Sequence, residues 1–87
     1  MENAQHFQML SLWALKRKGK EDMYLKLGSP VMEDKGTKNV LGTEKPEITW
    51  NMFRNLTKGY EDMFPEENYE CVQVHLFVEK FTVNLNK

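Results

Sequence analysis

Over its last nineteen residues the chain alternates apolar and polar positions with a period of two, and the phase of that alternation changes once. Val72, Val74, Leu76 and Val78 share one parity; after Glu79 and Lys80 the apolar positions are Phe81, Val83 and Leu85, on the other. Side chains of a strand alternate between its two faces, so a single regular strand with one buried face cannot carry both runs. The pattern predicts a strand from Tyr69, a bulge or break near 79–80, and a continuation over 79–87 that packs on another surface or on a second copy.

Residues 5–16 read as a first strand. Phe7, Met9, Trp13 and Leu15 lie on one parity and Leu10, Leu12 and Ala14 on the other. Apolar groups on both faces suggest a central strand. A helix is the competing assignment, because Leu, Ala and Gln are good helix formers. A charged turn with Gly19 at its centre follows, and Met23, Leu25 and Leu27 then alternate again. So short a connection makes the two strands an antiparallel hairpin. The segment 28–45 is rich in Gly, Lys, Glu and Thr and reads as a mobile loop, with a third short strand possible at 38–41.

From Pro46 to about Met63 the period becomes helical. On a wheel stepped by ~100° per residue, Ile48, Met52, Phe53, Leu56, Tyr60 and Met63 fall within an arc of roughly 140°. Pro46 suits a first helical turn, where its missing N–H is not needed. Gly59 reads either as the residue that ends the helix or as a weak interior point, and Pro65 excludes continuation. The expected order is β-β-(β)-α-β. This is an α+β single domain over 1–87, with a small antiparallel sheet of three to four strands packed against one amphipathic helix. The helix stripe is expected to cover the even face of the terminal strand.

Composition narrows function more than it narrows fold. At 87 residues with 40% hydrophobic and 11% aromatic content, the chain can hold one modest core. A net charge of −1 excludes the strong basic excess of most nucleic-acid binders. The single cysteine, Cys71, excludes an internal disulfide and suits a reducing compartment. The N-terminus shows no basic segment followed by an apolar run, and no stretch reaches the ~18 apolar residues of a membrane helix. The expectation is a cytoplasmic protein.

No catalytic constellation emerges from the residue pattern. Cys71 and His75 share a strand face but lie four residues apart, ~13 Å at strand rise, too far for a nucleophile–base hydrogen bond or a shared metal. No phosphate loop, metal-ligand spacing or cofactor motif appears, so a non-enzyme without metal or cofactor is expected. Two charged clusters remain. Lys16, Arg17, Lys18 and Lys20 at the hairpin tip could contact phosphates, although Glu21 and Asp22 follow directly. Glu61, Asp62, Glu66, Glu67 and Glu70 crowd into ten residues together with Tyr60, Met63, Phe64 and Tyr69. Acids after a helix C-terminus oppose its dipole, so they gain nothing locally. Trp50 falls at about 200° on the wheel, on the polar arc beside Arg54, which marks it as an interaction hot spot, a cation–π partner of Arg54, or a residue covered by the 28–45 loop. The expected partner-binding set is Trp50, Arg54, Glu61, Asp62, Phe64, Glu66 and Glu67.

Leu12-Trp13-Ala14-Leu15-Lys16, the Gly-containing turn, Tyr24, the helix and the final Tyr69-Glu70-Cys71-Val72-Gln73-Val74-His75-Leu76 strand resemble a type of small bacteriophage or prophage accessory protein. The resemblance rests on strand patterning over about two-thirds of the chain, and it brings no catalytic motif. It implies a protein that binds and inhibits or modulates a host protein, for example a host-defence component such as a CRISPR nuclease. The alternatives are a nucleic-acid-binding module using the basic hairpin tip, and a structural or assembly protein that exchanges strands, with a homodimer through the C-terminal strand.

Overall fold

The computed structural model describes residues 5–28 and 30–81. Two thirteen-residue strands dominate it. β1 (Gln5–Arg17) and β5 (Tyr69–Phe81) pair antiparallel over their whole lengths, from Gln5 opposite Phe81 to Arg17 opposite Tyr69. Every residue of one strand has a single partner on the other. The expected bulge at 79–80 is therefore not present: Phe7 opposes Glu79, His6 opposes Lys80, and the ladder continues to Phe81. The positions past Phe81 that carry the rest of the phase change, Val83 and Leu85, lie outside the described residues.

The competing helix assignment for residues 5–16 is overturned, since apolar groups on both parities serve the two faces of a central strand. Gly19, at φ +78°, and Asp22, at φ +62°, turn the chain into β2 (Met23–Lys26), and Lys16 pairs with Tyr24. The segment expected as a loop is built into the sheet. β3 (Met32–Lys35) pairs antiparallel with β2, Val40 bridges to Lys26, and β4 (Gly42–Thr43) pairs with Trp13 and Ala14 of β1. Five antiparallel strands and one helix make an α+β fold, one strand richer than the upper end of the expectation.

Buried Lys26 holds the 35–39 turn. Its ammonium donates to the carbonyls of Lys35 (3.3 Å), Gly36 (2.6 Å) and Lys38 (2.8 Å), filling its three donor positions. Alternation alone treats Lys26 as a solvent-facing residue, so the sequence hides this clip.

α1 (Pro46–Leu56) is shorter than the apolar stripe predicts. Thr57 closes it, its backbone N–H and its hydroxyl both donating to the Phe53 carbonyl, at 2.9 and 2.8 Å. Gly59 follows at φ +89°, a conformation that glycine adopts without strain. Tyr60 and Met63 thus lie beyond the helix and are 61% and 65% exposed; Ile48, on α1 itself, is 41% exposed. The buried residues of α1 are Phe53, which belongs to the expected stripe, and Thr49, which does not. Thr49 Oγ1 donates to the Trp13 carbonyl at 2.7 Å and lies 2.7 Å from Thr43 Oγ1, tying helix, β1 and β4 together.

The helix covers the odd face of the sheet, the reverse of the expected arrangement. Phe53 packs with Leu15, Leu25, Val31, Leu41 and Tyr69, and Cys71 lies against this cluster. The even face carries a second cluster of Ala14, Tyr24, Val40 and Val74, flanked by Leu12, Val72 and Leu76. Register explains the swap: Leu15 pairs with Cys71, and Ala14 with Val72. The bulkiest fully buried groups, Phe53, Leu15, Leu25 and Leu41, are therefore on the helix side.

Candidate interaction site

The turns after α1 carry most of the expected partner-binding residues. Thr57 and Gly59 reverse the chain, successive turns run over 61–63, and a 3₁₀ turn (Glu66–Asn68) delivers it into β5. Arg54 projects from the last helical turn onto that return segment. Its Nε donates to Glu66 Oε2 at 2.8 Å and its second terminal nitrogen to Glu66 Oε1 at 3.1 Å, a two-pronged grip. This pair holds the Glu66 carboxyl below the usual carboxylate range. Backbone N–H donors, Gly59 first, hold Glu61 low as well; the Gly59 N–H reaches Glu61 Oε2 at 3.0 Å.

A cleft of about 720 Å³ results, with Arg54, Glu61, Phe64, Glu66 and Glu67 in its walls. Five of the seven expected residues are thus brought together. Asp62 is exposed outside the cleft, and Trp50 is half-buried rather than free on a solvated face. The Trp50 ring meets Phe53 edge-on at 5.6 Å and 83°, and the Arg54 guanidinium sits 5.7 Å from its centroid. The cation–π alternative describes Trp50 correctly. Its role is to support Arg54 and cover Phe53.

Behind the same segment lies a second cleft of about 450 Å³, lined by Gly28, Pro30, Val31, Leu56, Tyr60, Met63 and Phe64. Phe64 belongs to both walls. The helical wheel hid this site, because it assigned Leu56, Tyr60 and Met63 to the core stripe. Read with Gly59 as the terminator, the same residues mark an exposed apolar turn.

The basic cluster is largely engaged within the molecule. Lys16 pairs with Glu70 at 3.2 Å and donates to the Lys20 carbonyl at 3.2 Å. Arg17 Nε donates to both oxygens of Glu33 at 2.9 Å and its terminal nitrogen to the Tyr69 hydroxyl at 3.3 Å. Tyr69 in turn donates to Glu33. Burial pushes the Glu33 carboxyl up, but hydrogen bonds from Arg17 and Tyr69 outweigh it and leave it below its ordinary range. Burial, then the adjacent Glu33, pushes the Tyr69 phenol up. Only Lys18 and Lys20 of the expected phosphate-binding set are exposed, which reduces the footprint a nucleic acid would meet.

Cys71 and His75 do not form a site together. Cys71 is half-buried against the helix-side cluster, and burial raises its thiol pKa, which disfavours the reactive thiolate. His75 is exposed, with Nδ1 2.9 Å from Ser11 Oγ directly across the ladder. This cross-strand pair requires the register, which the sequence does not print. No group of three His, Cys, Asp or Glu among the described residues could hold a metal ion. No helix among them is long and apolar enough to cross a membrane.

Fold and site define a class: a small α+β domain with one antiparallel sheet, one covering helix and a mixed acidic–apolar ridge beside it. Comparison with protein-family models, with curated proteins and with solved structures finds no match for this chain.

Proposed function

We propose that this chain is a small non-enzymatic binding protein, of the phage accessory type, that inhibits or modulates a host protein. The carrying observation is the ridge 57–67, which separates a cleft walled by Arg54, Glu61, Glu66 and Glu67 from an apolar one walled by Leu56, Tyr60 and Met63. Exposed aromatic and Met side chains beside fixed charges suit a protein contact: apolar anchors supply affinity, and the charges set specificity and approach. Arg54 is already gripped by Glu66, so the carboxylates of Glu61 and Glu67 are the charges offered to a partner.

The test is affinity capture from host lysate with the wild-type chain and with the double variant Glu61→Lys, Glu67→Lys. Both positions are exposed, but Glu61→Lys removes the acceptor of the Gly59 N–H, so the fold of the variant is checked by circular dichroism before capture. Its capture of the wild-type chain's partner is expected to fall at least tenfold. Undiminished capture by a folded variant would refute the surface assignment.

A further inference from the structure

Among the described residues the outer edges of β3 and β5 are very different, and the side of β1 away from β5 is also without a strand partner over 5–12. β3 is four residues long, and three of them, Glu33, Asp34 and Lys35, are charged; Pro30 precedes it and Gly36, at φ +82°, follows. Short length, charge and flanking breakers are the usual protection of an edge strand against pairing with another chain. β5 is less protected: it is long, and its charges, Glu70, Glu79 and Lys80, lie near its two ends. It runs thirteen residues without Pro, Gly or bulge, and 71–78 contains no Asp, Glu, Lys or Arg. Among the described residues it pairs only with β1, so its outer row of N–H and C=O groups has no described strand partner. At ~3.4 Å per residue the open edge is ~44 Å long, most of the 55 Å extent of the described residues.

We propose that β5 is a dimerisation edge, two copies pairing their β5 strands antiparallel about a two-fold axis at His75. Three observations favour a second copy over a foreign strand. With the axis at His75, Tyr69 stands opposite Phe81 and every described position of β5 is paired. That register sets Glu70, which also pairs with Lys16 of its own chain, opposite Lys80, Val72 opposite Val78 and Val74 opposite Leu76, matching opposite charges and apolar positions; a shift of the axis by one residue opposes Glu70 to Val78 or Val72 to Lys80. It also keeps even positions opposite even positions. The half-buried Val72 and Leu76, beside Leu12, would then border the same apolar face of the second copy. A two-fold contact of this kind closes on itself and leaves no open edge to propagate.

Light scattering on the eluting protein should give twice the 10.3 kDa chain mass, and His75→Lys, which sets two like charges together at the axis, should raise the dimer dissociation constant at least tenfold. In a Cys71→Ser background, His75→Cys should cross-link to itself with a short bis-maleimide. Gln73→Cys should not, because its two copies would sit four residues apart along the ladder, ~13 Å. Ser11→Cys, directly across from His75 on β1, reports the other strand of the ribbon. A monomer at high concentration, a dimer unaffected by His75→Lys, or cross-linking through Ser11→Cys in place of His75→Cys would each overturn the proposal.

Discussion

Glu33 is a residue whose importance no pattern announces. It sits in a short charged strand, yet it accepts hydrogen bonds from Arg17 and Tyr69 and so ties β3 to both long strands. The Arg17 guanidinium also lies 5.2 Å from the Tyr69 ring centroid. The group is partly exposed, so its net contribution is modest, and Glu33→Gln should destabilise the fold by about 1–2 kcal/mol in urea titrations. The pH dependence has a defined sign. The Glu33 pKa is lower folded than unfolded, so its stabilisation is fully present above the ordinary carboxylate range near ~4.3 and is lost as pH falls through the depressed folded value. Glu33→Gln should therefore flatten the loss of stability between about pH 5 and pH 2 relative to wild type. Tyr69 runs in the opposite sense. Its raised pKa means stability is kept below the ordinary phenol range near ~10 and lost as pH rises toward the folded value, a loss that Tyr69→Phe should remove.

The elements show what alternation can and cannot convey. Strand periodicity placed β1, β2 and β5 correctly because each has a sheet neighbour on at least one side and an apolar face to bury. It could not say which face the helix covers, because β1 is apolar on both parities and β5 carries Tyr69 and Cys71 on the odd one. It missed β3 because that edge strand, Met-Glu-Asp-Lys, owes its conformation to pairing with β2 and has no hydrophobic stripe. On α1 the wheel favoured the large apolar groups and passed over Thr49, the residue that joins helix to sheet by hydrogen bonding. Thr49→Val, which keeps the shape and removes the hydroxyl, should cost about 1–3 kcal/mol by leaving the Trp13 carbonyl unpaired. Ile48→Gln on the same helix should change stability by no more than about 0.5 kcal/mol. Thermal melts of the two variants decide between the observed face and the stripe. Gly59→Ala should cost about 1 kcal/mol through its positive φ.

At the scale of the molecule, two surfaces of the described residues carry the account: the ridge after α1 and the open edge of β5. They lie on different elements, so self-association and partner binding need not compete. Much of the ridge was legible, because acids and aromatics crowded after a helix have no local stabilising reason to be there. The apolar cleft behind it was not, since Pro30 and Val31 reach it only through the fold of a segment that looks like a loop. Hydrogen–deuterium exchange on the protein with and without its captured partner tests the ridge most directly. New protection is expected over 54–67, together with 28–31 from the apolar wall. Protection confined to β2, β3 and the 16–20 hairpin tip, with 54–67 exchanging as in the free protein, would contradict it.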